Sequence, residues 1–344
     1  MSRARRVAKI AGGTVGVGAG LAATGFAALA GIMWGEGKLA KRRIPVATDP
    51  PPASDNIVWA APGVSPVRPS IRIAIAGDSS AAGYGAYRER DTPAARFAIG
   101  ISEVARRPVH VTSVAVVGAE SKDLEPQIDA LIANPPELAV IMIGVNDVTE
   151  GTKPAVAVPY LESAVRRLRA AGTEVVVGTC PDLGVIAPIA QPLRTWARRL
   201  SRQMAAAQTI AVVRAGGTTV SLGDLLGPQF AGRRELFAED QFHPSAEGYR
   251  VATNAMLPSA LDALGLRTRA RSASAFTTRR AKPVAKAAAQ AVARPGTEVQ
   301  PTADRPLTAV RANGTWARLR RRRPKGRVVE HSETATPVTP ATTG

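Results

Sequence analysis

The sequence predicts an α/β fold: a mainly parallel, five-stranded sheet with helices on both faces. Three observations carry this. Short apolar runs alternate with amphipathic helical stretches from Ile71 to Leu264, the pattern of strand–helix–strand units. The runs are rich in β-branched residues and too short for buried helices, as in Ile71–Ala76, Leu138–Ile143 and Glu174–Thr179. Three segments end in a glycine-bearing turn: Gly77-Asp78-Ser79-Ser80, Gly118 and Gly144-Val145-Asn146-Asp147. In such sheets ligands bind outside the carboxyl ends of the strands, so these three segments are expected to meet at one edge.

The first strand, Ile71–Ala76, stops at Gly77 and delivers Ser79. Ala81–Gly85 reads as a loop or short helical turn. Thr92-Pro93 is an N-cap followed by proline at the first helical position, opening a helix to about Arg106. Val109–Val117 is the second strand, and Ser121 is expected to cap a helix through about Ala133. Leu138–Ile143 is the third strand. Ala155–Ala171 is a helix with Arg166, Arg167 and Arg169 near its C-terminal end, where cations are favoured. Glu174–Thr179 is the fourth strand, Gln191–Val212 mainly helix, Thr218–Leu222 a weak fifth strand, and Ser245 caps a last helix to Leu264.

The ends differ from the middle. The 344-residue chain has a formal net charge of +18. Residues 1–43 carry +7 and residues 267–344 carry +13, leaving −2 for residues 44–266. The central domain therefore has no basic excess to follow a phosphate backbone, and nucleic acid is not an expected partner. Ile10–Gly35 is 26 residues without a charge, preceded by Arg3, Arg5, Arg6 and Lys9. That length suffices to span a bilayer as a helix. It reads as a retained membrane anchor, with a cleaved signal at Ala28-Leu29-Ala30 or a twin-arginine signal at Arg5-Arg6 as alternatives. The central domain is expected outside the cytoplasmic membrane, anchored or secreted. Residues 44–70 hold seven prolines and read as an extended linker. Residues 267–344 are rich in Ala, Pro, Thr and Arg and read as a disordered tail. Its cluster Arg320–Arg323 with Lys325 and Arg327 suits an anionic membrane or an acidic envelope polymer. The single Cys180, at the end of an apolar run, reads as a small buried hydrophobe.

A serine hydroxyl needs a base to act as a nucleophile at neutral pH. The chain has three histidines. His331 lies in the tail, and His110 starts a strand, at the end of the sheet away from Ser79. His243 is left as the base for Ser79, with Asp240 three residues earlier to hold the imidazole. Backbone N–H groups of Ser79 and Gly118 and the side-chain amide of Asn146 suit an oxyanion. Asp78 and Asp147 read as loop braces, since carboxylates readily satisfy turn N–H groups.

In order and spacing these stretches resemble the SGNH, or GDSL-type, hydrolase family. Gly77-Asp78-Ser79-Ser80 resembles its first block, Gly118 its second, Gly144-Val145-Asn146-Asp147 its third and Asp240-Gln241-Phe242-His243 its fifth. The resemblance covers about residues 71–264. It implies a flavodoxin-like three-layer α/β/α sandwich and an esterase or lipase acting without metal or cofactor. It also implies Ser79 as nucleophile, His243 as base and acid, Asp240 as its orienting partner, and Ser79, Gly118 and Asn146 as oxyanion donors. Two positions depart from the family pattern: Ser80 stands in place of Leu, and Ser113 stands about where an Asn often precedes the second-block glycine. The expected reaction is hydrolysis of a carboxylic ester (of a lipid, a small acyl compound or an acylated glycan). Acyl transfer to a sugar or lipid, and an inactive binding module, are the alternatives.

Overall fold

A computed structural model describes residues 50–186, 188–223, 233–267, 282–294, 296–301, 316–321 and 337–338. The expected anchor at residues 10–35 lies outside them. Among the described residues no helix is long and apolar enough to cross a membrane.

Five apolar runs become five parallel strands: β2 (Ile71–Gly77), β3 (Val109–Ser113), β4 (Leu138–Met142), β5 (Glu174–Gly178) and β6 (Thr218–Val220). Their order in space is β3-β2-β4-β5-β6, all neighbours parallel. Successive side chains of a strand face opposite sides, and both sides are buried here. Ile73 and Ile75 of β2 and Val140 of β4 join a core covered by the helices Pro93–Ala105 (α2) and Ala246–Ala263 (α7). Ala74, Ala76, Ala139 and Ile141 join the opposite core under Leu124–Ile132 (α3) and Pro154–Ala170 (α5). Leu193–Arg214 (α6) packs beside α5. Thr92 and Ser245 cap α2 and α7 through their side chains as expected.

Differences from expectation lie mostly at the flanks. The linker reading of residues 44–70 is corrected by β1, Ile57–Trp59, which pairs antiparallel with β3. Its prolines fall outside the strand, and Trp59 is 1% exposed. The disorder reading of residues 267–344 is corrected where the structure describes them. The helix α8, Val284–Val292, buries Val284, Ala287, Ala288 and Ala291. That is a helical i, i+3, i+4, i+7 stripe, which the Ala- and Pro-rich composition masks. The strand β8, Thr297–Pro301, extends the sheet antiparallel to β6. Then β9, Trp316–Arg321, pairs antiparallel with β8, placing Arg320 opposite Glu298. With the two-residue strands Lys282–Pro283 (β7) and Pro337–Val338 (β10), the sheet has ten strands among the described residues, with β1 next to β10. Within the basic cluster, Arg322, Arg323, Lys325 and Arg327 lie outside the described residues. Closer in, β3 ends at Ser113 rather than Val117. Ser121 opens a short 3₁₀ turn capped by Glu120, and its hydroxyl is used elsewhere.

Candidate active site

The site is built where three parallel strands end. Gly77 closes β2 with φ +132°, and a Cβ there would lie 1.8 Å from the Met142 carbonyl oxygen of β4, so only glycine fits. The chain then turns into a four-residue helix, Ser79–Ala82 (α1), capped by Asp78, whose Oδ1 accepts from the Ser80 N–H at 2.9 Å. The buried side chain of Gln127 braces Gly77 from both sides, accepting from its N–H at 2.8 Å and donating to its carbonyl at 3.1 Å. A second buried amide, Gln208, does the same for the next two strand ends. It accepts from the Cys180 N–H at 2.7 Å and donates to the Ile143 carbonyl at 2.9 Å.

Against this frame the loop before α7 brings in the imidazole. His243 Nε2 lies 3.1 Å from Ser79 Oγ, and His243 Nδ1 lies 2.5 Å from Asp240 Oδ2. Asp240 is buried, and its Oδ1 accepts from the Phe242 and His243 N–H groups, each at 2.9 Å. Burial disfavours that charge, but the bonds from His243 and the two amides outweigh it and hold the carboxyl below its ordinary range. The ring is gripped edge-on by Tyr84 at 4.5 Å and Phe242 at 4.9 Å between centroids. Tyr249, buried on α7, donates its hydroxyl to the Tyr84 carbonyl at 2.6 Å, tying that loop down.

The donor side comes from β3 and β4. The Val116 N–H bonds the Gly77 carbonyl at 3.0 Å and the Ala119 N–H bonds the Val116 carbonyl at 3.1 Å. This turn carries Gly118 beside the end of β2. Gly118 has φ +83° and is exposed, with nothing near the place of a Cβ, so the positive φ, more than crowding, asks for glycine. Asn146 sits on the five-residue helix Val145–Thr149 (α4) and donates one amide hydrogen to the Ala119 carbonyl at 2.8 Å. An amide carries two hydrogens, and this bond uses one of them. Asp147 is the brace expected of it: buried, it accepts from the Ser121 N–H and, at 2.8 Å, from the Ser121 hydroxyl. Burial raises its pKa.

Asp78 combines a brace with an unbalanced charge. It is 1% exposed, and its Oδ2 has no hydrogen-bond partner. Burial pushes its pKa up to about 6. It lines a small apolar cavity of about 40 Å³ behind Ser79, with Met142, Ile143, Leu222 and Tyr249 among the walls. Cys180 is buried nearby, and burial pushes its thiol well above the ordinary range.

Every residue expected at the site is thus at this edge, and His110 is not. It pairs in register with Arg72 at the start of β2, its Nε2 2.9 Å from Asn56 Oδ1. Ser113, at the family's frequent Asn position, gives its N–H to Asp55 at 2.8 Å. Tyr84 lies on the loop at 80–92 where pocket residues are expected, whereas Gln127, Gln208 and Tyr249 are not anticipated by the sequence reading. A signal existed for the glutamines: each sits on the apolar face of its helix, Gln127 between Leu124 and Leu131, Gln208 between Met204 and Val212. Among the described residues no group of three His, Cys, Asp or Glu side chains is placed to hold a metal.

A hydroxyl, an imidazole and a carboxylate in hydrogen-bonded series, beside backbone and amide donors, is an arrangement of the serine-hydrolase class. Comparison with known proteins narrows this. The model of the GDSL-like lipase/acylhydrolase family matches residues 75–251. The GDSL-like esterase Rv1075c of Mycobacterium tuberculosis is 40% identical over 256 residues, 71% of this chain and 81% of that protein. The chain belongs to the GDSL-like lipase/acylhydrolase family and is an ester hydrolase. Among solved structures, TesA is 20% identical over 56% of this chain and 99% of that one, with a TM-score of 0.46. The esterase EstA from Pseudoalteromonas sp. is 18% identical over 56% of this chain and 98% of that one, with a TM-score of 0.46.

Proposed function

We propose that the protein hydrolyses carboxylic esters through an acyl-enzyme on Ser79. The observation that carries this reading is the series Ser79 Oγ–His243 Nε2 at 3.1 Å and His243 Nδ1–Asp240 Oδ2 at 2.5 Å. His243 takes the Ser79 proton as the hydroxyl attacks the ester carbonyl, and the negative oxygen forms against Ser79 N–H, Gly118 N–H and the second hydrogen of the Asn146 amide. His243 then gives the proton to the departing alcohol. Water repeats the sequence on the acyl-enzyme and releases the acid. Asp240 stays ionised throughout, keeping Nδ1 protonated and steadying the imidazolium.

The substrate class we propose is a lipid, a small acyl ester or an acylated glycan, met outside the cytoplasmic membrane by a domain held through residues 10–35. The uncharged run and the basic residues before it support the anchoring. The test is hydrolysis of p-nitrophenyl esters of increasing acyl length by the full chain and by Ser79→Ala. We expect the variant to lose activity by about 10⁶-fold in kcat, the scale seen when a triad serine is removed. Equal rates in the two proteins would remove Ser79 from the mechanism. Protease protection of the domain in intact cells tests the location.

A further inference from the structure

Exposed large apolar side chains gather at one edge of the molecule. Among the described residues, Tyr87, Val116, Val117, Val156, Tyr160 and Trp196 are exposed. All six lie where the parallel strands end. Tyr87 precedes α2, Val116 and Val117 follow β3, Val156 and Tyr160 are in the first two turns of α5, and Trp196 is in the first turn of α6. The two other exposed large apolar residues, Val67 and Val104, belong to the opposite edge, just before β2 and at the end of α2. Scattered single apolar residues need no explanation, but six of these eight fall at the functional edge.

The chain path gives a second, independent observation. Because β1 runs antiparallel to β3, the residues before Ile57 leave the sheet at the Ser79 edge. Asp55 Oδ1 fixes them there by accepting from the Ser113 N–H at the end of β3. Only 14 residues, 36–49, separate Pro50 from the uncharged run at 10–35. Fully extended they reach about 50 Å. A lead that leaves from the catalytic edge toward the expected anchor favours that edge as the near side. The chemistry of the edge agrees. Lys153 precedes α5 and is exposed, as is Arg199, three residues after Trp196 on α6. Tyrosine and tryptophan with neighbouring Lys or Arg suit the headgroup region of a phospholipid bilayer.

We propose that the Ser79 edge seats on the surface of a phospholipid bilayer, with Val156, Tyr160 and Trp196 in the headgroup layer. The ester presented to Ser79 then belongs to a lipid of that bilayer. The seating stands on the surface and the chain path, and the choice of substrate rests on the esterase reading above. The test separates the two. The full chain and its Trp196→Phe variant are mixed with vesicles of phosphatidylcholine and phosphatidylglycerol carrying brominated acyl chains, and tryptophan emission is measured. The difference between the proteins isolates Trp196 from the other three tryptophans. Seating predicts that the Trp196 contribution is quenched, and an unquenched contribution overturns it whether or not the protein has activity. The second arm compares the parent with Val156→Ser/Tyr160→Ser/Trp196→Ser on a soluble short ester and on an ester lipid held in the vesicles. We expect the soluble rate within about twofold and the vesicle rate lower by about tenfold or more, as lost apolar burial dictates. A variant equal to the parent on vesicles overturns the proposal. Should both rates fall together, Tyr160→Glu alone decides by the same ratio. No hydrolysis of either ester by the parent defeats the esterase reading and leaves the quenching result to judge the seating.

Discussion

The centre of the sheet and its outer strands are built from different sequence material. In the centre, β2 and β4 are buried on both faces and paired on both sides, so nearly every residue is apolar. At the flanks, β1 has three residues and β8 five, with proline and charge among or beside them. They are held by one neighbour each from the centre. The centre carries the Ser79–His243–Asp240 series and the donors around it. The flanks cover the edges of β3 and β6, which would otherwise present unpaired backbone groups. Function and edge protection are thus separated in space, and the separation makes distinct claims about mutants.

The largest effect should fall on the centre. Asp240→Asn keeps the shape but can leave His243 in the wrong tautomer, and kcat should drop by about 10⁴-fold with the fold intact. Circular dichroism beside the ester assay checks both halves. Asn146→Ala removes one oxyanion donor and should cost about 10²–10³ in kcat, with little change in KM.

Next comes a stability effect seen in pH dependence. Burial pushes the Asp78 carboxyl up to about 6 in the folded protein, from an ordinary 3.8. The folded state therefore binds more proton between those values, so stability should fall as pH rises through that window. The stability at stake is about 3 kcal/mol. Asp78→Asn keeps the acceptor for the Ser80 N–H and should flatten that slope in urea titrations at pH 4 and pH 7. An unchanged slope would place the ionisation elsewhere.

The smallest effects compare like with like. Val140 in β4 and Val299 in β8 are both fully buried. Val140→Ala should cost about 2–3 kcal/mol because the surrounding centre cannot collapse, and Val299→Ala about 1–2 kcal/mol, near the bare transfer value. Val299→Ala should leave kcat unchanged. A loss of activity there would break the separation of the two regions.

Much of the centre was legible. Its strands repeat a long apolar signal, and the site residues are types whose chemistry is specific: a serine after Gly-Asp, a histidine after Asp, an asparagine after Gly. The flanks were harder for a physical reason. A three-residue strand such as Ile57–Trp59 shows no period, and α8 hides its stripe in alanines. Gln127 and Gln208 were missed because a glutamine on a helix reads as solvent-facing. Their partners lie 50 residues away in one case, and 28 and 65 in the other. Only the folded chain shows that each amide substitutes for a neighbouring strand at the point where the sheet opens to form the site.

Cys180 has a practical consequence. It is the only cysteine in the chain, is 1% exposed and has a thiol kept protonated by burial. The reactive species of a thiol is its thiolate, so alkylating dyes and mild oxidants should pass the native protein by. Spin labels or fluorophores can therefore be attached at cysteines introduced one at a time along the rim, with the natural residue left in place as a silent background.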